Sequence, residues 1–328
     1  MKLGGVVLSM VTVWCVGCHV INVEKYEAEG LGRERIKLLW ARTLSERRAA
    51  HVSHTFSEVV FGFAAGGERA VLYEEGTMSA LDADSGYIVW SRSAASPTWV
   101  FPAEADGHVR AVARSDGCIR VEDIDLSSDQ TAASPSLLGA VSLDGADIVL
   151  IDQTSVFVRG AQQVVPLQVT PFGIMRPIVG DFHDLLAAAQ DGSGAVWGGL
   201  GFVSPRRGIA RIGTGDGCGT LIPFDEHVSR IACLGGRVFI CGDNLSEIDV
   251  SQSVIRRLVD GPVLGVMRCR IPNHVWVVRR SSVAVHSIDT WLVKDELHPP
   301  FDIQWSISDE DGKRVALIGR GRIAVVTL

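Results

Sequence analysis

Positive charge is scarce in this chain of 328 residues: 31 Lys and Arg stand against 38 Asp and Glu, a net charge of −7. A surface of that sign does not neutralise phosphates, which excludes broad binding to DNA or RNA. Helical periodicity is missing too. After the N-terminal region no segment carries apolar residues at the three-and-four spacing of an amphipathic helix. Only residues 24–35, polar and charged, read as a tether with a helical turn. Beyond the N-terminal Cys15 and Cys18 no CxxC occurs, and no two cysteines are adjacent, so zinc and thiol-redox chemistry lack their usual spacing in the five later cysteines. No GxSxG elbow is present, and no nucleophile, base and orienter can be nominated together. What is present is 47% apolar residues and 35 glycines, the make-up of a folded, turn-rich protein. All-β domains often exceed 200 residues, so one domain fits the length.

The N-terminal run Leu3 to Val16, in MKLGGVVLSMVTVWCVGC, falls short of the roughly 20 apolar residues of a membrane span and reads as a secretory signal. Cys15-Val16-Gly17-Cys18 resembles a bacterial lipobox, with Cys15 where leucine is usual. That resemblance implies a signal peptide over 1–17, a lipid (palmitate among its chains) on Cys18, a lipidated tether over 18–35 and a folded domain over 36–328. His19, rather than aspartate, after the cysteine points to the periplasmic face of the outer membrane of a Gram-negative-type bacterium. The alternative is an ordinary signal peptide with a chance cysteine. Stable anchoring needs more than one acyl chain, since each buried methylene contributes only about 0.8 kcal/mol. The five later cysteines would meet an oxidising compartment. A Gly235-Gly236 turn sets Cys233 opposite Val238 and leaves Cys241 on the other sheet face, so no bridge is expected between them.

An internal repeat organises the rest. EEGTMSALD, ending at Asp82, slides onto SDGCIRVED, ending at Asp123, an offset of 41. Asp249 and Thr327 fall in the same slot four and six units on, and weaker copies lie near Gly160, Gly198 and Ser287. Each unit reads as short apolar or alternating runs separated by Asp, Gly, Ser and Asn. In the first unit these runs are EVVFGFA, RAVLYE, TMSALDA and YIVWSRS. Four strands in about 40 residues describe a blade of a β-propeller, an all-β fold of four-stranded antiparallel blades. The last unit ends after its third strand, whereas IKLLWART, with Trp40 in the slot of Trp90, precedes the first. The N-terminal strand is therefore expected to close the last blade, which removes both free edges.

ALDADSGYIVW matches the AxDxxTGxxxW consensus of the pyrroloquinoline-quinone-type (PQQ-like) propeller repeat at Ala80, Asp82, Gly86 and Trp90, with Ser85 for Thr. With the lipobox and the opening LWART strand, the chain after residue 35 is similar to the BamB family, lipoproteins of the outer-membrane β-barrel assembly machinery (the BAM complex). Members of that family have eight blades. Seven slots are counted here, and the 51-residue step from 198 to 249 leaves room for another. The resemblance implies a non-enzymatic scaffold that docks on the periplasmic POTRA domains of a BamA-type protein, with unfolded barrel substrates as further partners. It implies two docking loops: one ahead of the fourth blade, with Phe172, Ile174, Met175 and Arg176, and an acidic one ahead of the fifth, with Asp225 and Glu226. An apolar anchor, an arginine and rim carboxylates suit a small binding hot spot.

Other groups carry less. Asp82 and Asp84 in DADSG lack the further oxygen ligands of a calcium loop and read as turn caps. His51 and His54 form an HxxH without a third ligand. GTGDGCG, 213–219, matches neither phosphate-loop pattern. SDEDGKR, 308–314, reads as a polar hairpin turn. No metal or cofactor is expected. Two other functions remain open: a quinone-dependent dehydrogenase on the same repeat, and a generic periplasmic propeller binding another protein or a glycan.

Overall fold

The computed structural model describes residues 35–44, 59–94, 97, 99–103, 105–115, 118–127 and 218–328, and between 136 and 212 the strands alone. Those residues form 28 strands and no helix. They make seven four-stranded antiparallel sheets. β1 (Lys37–Thr43) stands apart in sequence from its sheet. The first sheet is β2 (Val59–Phe63), β3 (Arg69–Glu74), β4 (Thr77–Asp82) and β5 (Ile88–Ser93). The second is β6 (Trp99–Pro102), β7 (His108–Ser115), β8 (Cys118–Asp125) and β9 (Ser136–Ser142). The third is β10 (Asp147–Ile148), β11 (Val156–Arg159), β12 (Gln163–Leu167) and β13 (Ile178–Val179); the fourth is β14 (Leu185–Gln190), β15 (Val196–Leu200), β16 (Gly208–Ile212) and β17 (Cys218–Pro223). The fifth is β18 (Val228–Leu234), β19 (Arg237–Gly242), β20 (Leu245–Asp249) and β21 (Val254–Val259); the sixth is β22 (Gly265–Arg268), β23 (His274–Val278), β24 (Val283–Ser287) and β25 (Val293–Leu297). The seventh is β26 (Ile303–Ser308), β27 (Arg314–Gly319), β28 (Arg322–Thr327) and, at its outer edge, β1.

Burial follows strand position, as a propeller requires. In the first sheet β2, β3 and β4 are buried on both faces, while β5 alternates exposed and half-buried residues. Side chains of successive residues serve the neighbours on either side. Phe61, Phe63, Ala70 and Leu72 pack with Ile307, Ala316, Ile323 and Val325 of the seventh sheet. Val60, Val71 and Tyr73 pack with Val100, Val109 and Ile124 of the second. Further cores join the fourth to the fifth sheet, the fifth to the sixth and the sixth to the seventh. Packing around the third sheet involves side chains outside the described residues.

The strand bearing Trp40 completes the last sheet, as the sequence predicts: Lys37 pairs with Thr327 and Trp40 with Val325. The hairpin of β18 and β19 also has the expected register, with Cys233 opposite Val238 and Leu234 opposite Arg237. Cys233 packs in the core shared with the fourth sheet and Cys241 in the core shared with the sixth, on opposite faces.

The slots shift in three blades. Ala83 N–H donates to Glu68 O and Leu126 N–H to Gly107 O. Asp125, rather than Asp123, therefore stands in the place of Asp82. The slot near Gly160 follows β11 in sequence and lies outside the described residues, while Gly198 lies within β15; β11 and β15 are second strands, and the third strands there are β12 and β16. With β16 as reference, the long step from 198 to 249 disappears, and among the described residues it contains no eighth sheet.

Because strands alternate in direction, each sheet has two unlike ends. One, the Asp82 end, carries the turns between first and second strands and the connections between third and fourth. The other, the Asp225 end, carries the turns between second and third strands and the links between sheets.

Candidate functional site

The repeat motif is an interblade joint. Ala80 is fully buried against the second sheet. Asp82 caps the turn that follows: its Oδ1 accepts from Ser85 N–H at 2.9 Å and Ser85 Oγ at 2.6 Å, and its Oδ2 from Arg69 Nη1 at 3.2 Å. Partial burial opposes ionisation of this carboxyl, but the Ser85 hydrogen bonds and Arg69 outweigh it and hold its pKa below the usual value. Asp125 with Ser127 and Asp249 with Ser251 repeat the cap. Gly86 closes the turn at φ 71°. A Cβ there would sit 2.6 Å from Trp40 Cδ2, so only glycine lets the indole lie against the backbone.

Trp40 and Trp90 hold equivalent registers, opposite Val325 and Ala80, each beside a bulge. Each indole reaches the next sheet at the same place. Trp40 Nε1 donates to Ala83 O at 2.9 Å, and Trp90 Nε1 to Leu126 O at 3.4 Å. Thus each tryptophan of a fourth strand latches onto the turn of the following sheet, a polar tip finding its acceptor at a mostly buried seam.

A second joint at the seam of the seventh and first sheets was not legible as such. SDEDGKR does form the turn between β26 and β27, but two of its charged residues are buried: Asp309 at 2% and Arg314 at 5% exposure. Arg314 Nε donates to Asp84 Oδ1 at 2.8 Å, and its Nη1 to Gly67 O at 2.9 Å and Asp309 Oδ2 at 3.2 Å. Arg314 lowers the Asp84 pKa, chiefly through that hydrogen bond. Burial pushes the Asp309 carboxyl up, against Arg314 and the amides of Lys313 and Arg314 that donate to it. The only sequence signal was an arginine at the first position of an apolar strand. Both carboxylates of DADSG are thereby engaged by protein groups, and among the described residues no three His, Cys, Asp or Glu side chains are grouped to hold a metal. Burial raises the Cys241 thiol to about 12, against the opposing charge of Arg230, which removes it as a thiolate nucleophile.

Of the expected docking residues, Asp225 and Glu226 lie in the link from β17 to β18, at the end named for Asp225 and ahead of the fifth sheet as expected. Asp225 is exposed. Glu226 is half-buried and accepts from Asn244 Nδ2 at 2.9 Å and from Arg257 Nη2; Asn244 Oδ1 in turn accepts from Gly261 N–H at 2.9 Å. Glu226 thus braces the loop, while Asp225 faces outward. Phe172, Ile174, Met175 and Arg176 lie outside the described residues. The strands that bracket them, β12 and β13, are third and fourth of one sheet. Cys18, His51 and His54, and 213–217 of the glycine-rich segment, also lie outside.

Comparison with known proteins gives the fold. No family model matches the chain. No curated protein matches it either. Among solved structures it is similar to a chain of the mitotic checkpoint complex, with a TM-score of 0.64 and 9% identity over 95% of this chain and 99% of that one. It is similar to Raptor of Chaetomium thermophilum, with a TM-score of 0.62 and 13% identity over 83% of this chain, which spans 28% of the Raptor chain. It is also similar to Kuenenia stuttgartiensis hydrazine synthase, with a TM-score of 0.59 and 10% identity over 85% of this chain and 98% of that one. At these identities the likeness concerns the β-propeller alone.

Proposed function

We propose that this protein is a lipid-anchored, non-enzymatic scaffold at the periplasmic face of the outer membrane, binding a BamA-type protein of the β-barrel assembly machinery. The observation that carries the reading is the use of the motif from Ala80 to Trp90. Its glycine, tryptophan and Asp84 join sheets and Asp82 caps its own turn, so both carboxylates are engaged by protein groups, which favours a propeller that works through its surface. The segment containing Cys18 leads directly into β1, the outermost strand of the seventh sheet, so an anchor there would tether the rim. The braced loop at Asp225 supplies a preorganised acidic edge, and preorganisation lowers the entropic cost of docking.

The test is recovery of partners from detergent-solubilised native envelope with the full chain. A BamA-type protein should be recovered, and Asp225→Lys combined with Arg176→Glu should weaken recovery while leaving thermal unfolding unchanged. Failure to recover such a protein, where other envelope complexes survive, contradicts the reading; undiminished recovery by the double variant relocates the docking surface.

A further inference from the structure

Among the described residues the exposed large apolar side chains are Tyr87 (64% exposed), Ile88, Val89, Val250, Val254, Leu292 (69%) and Val293, and they are not scattered. Counted from the end of the third strand, Tyr87 follows Asp82 by five residues, Val254 follows Asp249 by five and Leu292 follows Ser287 by five. The same place in three sheets thus carries an apolar side chain turned to water, at the start of the outermost strand. In the seventh sheet this place is Lys37, the first residue of β1, paired with Thr327. The fifth, sixth, seventh and first sheets pack in succession. These residues therefore form one arc along the outer rim, all at the Asp82 end and opposite to Asp225.

The chain itself enters on this arc. Ile36 N–H donates to Asp295 Oδ2 of β25 at 2.5 Å, and the Ile36 side chain is buried in the core between the sixth and seventh sheets. Entry is thus fixed beside the exposed Leu292 and Val293. The exposed lysines Lys37 and Lys294 flank that point. Of the carboxylates at the third-to-fourth connections, Asp84 is engaged by Arg314 and Asp249 by Arg256, while Asp289 is exposed. Apolar tips with flanking lysines match the chemistry of a bilayer interface, where the tips enter the headgroup boundary and ammonium groups meet lipid phosphates.

We infer that this rim, from Val254 through Leu292 and Val293 to Tyr87 and Ile88, is a lipid-contacting surface that lays the Asp82 end of the propeller against the membrane and turns the Asp225 end away from it. The inference rests on the proposed anchor for the direction from which the bilayer arrives. Cys18 precedes Ile36 by eighteen residues, a reach of at most about 60 Å, so a lipid there leaves the bilayer within reach of this rim.

The experiment is photo-cross-linking of the full chain in its native envelope. A benzoylphenylalanine residue replaces Tyr87 or Leu292 on the rim, and Arg280 at the opposite end as reference. Membrane fractionation of the same samples reports the anchor separately. Lipid adducts several-fold more abundant from positions 87 and 292 than from 280 support the surface. Equal or absent lipid adducts in membrane-bound protein overturn it and leave the anchor standing. Adducts from 87 and 292 to another protein, or to the chain's own N-terminal residues, overturn it in favour of a covered edge. Recovery of the chain in the soluble fraction overturns both the surface and the anchor.

Discussion

Trp40 and Trp90 occupy one slot in two sheets, yet they seal their seams unequally. Trp40 is 2% exposed, lies on Gly86 and makes an edge contact with Phe61 at 6.3 Å between ring centroids. Trp90 is half-buried, has the longer hydrogen bond and lies under the Arg92 guanidinium at 5.5 Å. The tighter seam is the one between sheets farthest apart in sequence. Chain connectivity holds the first sheet beside the second through a short link, but nothing covalent holds β1 beside β28. The backbone ladder supplies that junction, and side chains at the seam with the first sheet, Trp40 and the Arg314 cluster among them, lock it in place. The non-local strand pairing also carries the larger loop-closure cost.

The largest effect is expected from Trp40→Ala, which should lower stability by about 3–5 kcal/mol in denaturant unfolding, as for a fully buried aromatic. Trp90→Ala should cost less, about 1–2 kcal/mol. Equal losses would erase the contrast between the two seams. Arg314→Met should cost about 3 kcal/mol, because it leaves the buried Asp309 without its cation. Gly86→Ala should destabilise by about 1–3 kcal/mol, adding the contact with Trp40 to the strain of positive φ. Gly76, at φ 76° with nothing within 4 Å of an added Cβ, is the control and should lose only about 1 kcal/mol on the same change.

Smaller effects separate the seam from the docking loop. In a double-mutant cycle, Glu226→Ala and Arg257→Ala should show only a small favourable coupling that fades as salt is added, as for an exposed pair. The pH dependence is the finest probe. The Asp84 pKa is depressed in the folded state, so its contribution is fully present above the unfolded value and is lost as pH falls through the lower folded value. Asp84→Asn should therefore lose less stability than the parent on acidification below about pH 4, read from unfolding midpoints. A parallel loss in the two proteins would remove Asp84 from the seam.

The first sheet was legible almost strand for strand, because its turns carry Gly76 and Gly86 and its strands alternate cleanly. The slips elsewhere have physical causes. Moving a slot by two residues keeps a side chain on the same face, so Asp123 and Asp125 are indistinguishable to a period of two; His108 lies between them, 3.1 Å from one and 3.8 Å from the other. In the third and fourth sheets the third strands contain Pro166 and begin at Gly208, residues that read as breaks, so the better-looking second strands took the slot. The Arg314 cluster was invisible because charge in a hairpin turn reads as solvated, and only the neighbouring sheet buries it. At the docking loop Asp225 could be placed from sequence order, whereas the bracing role of Glu226 depends on Asn244 and Arg257, which are close only after folding.

The central claim, that β1 is an integral strand of the last sheet, is tested most directly by native-state hydrogen exchange on the full chain. The hydrogen-bonded amides of β1 should exchange only through global unfolding, with protection equal to that of the amides of β28, and Trp40→Ala should lower both together. Rapid exchange along β1 while β28 stays protected would contradict it.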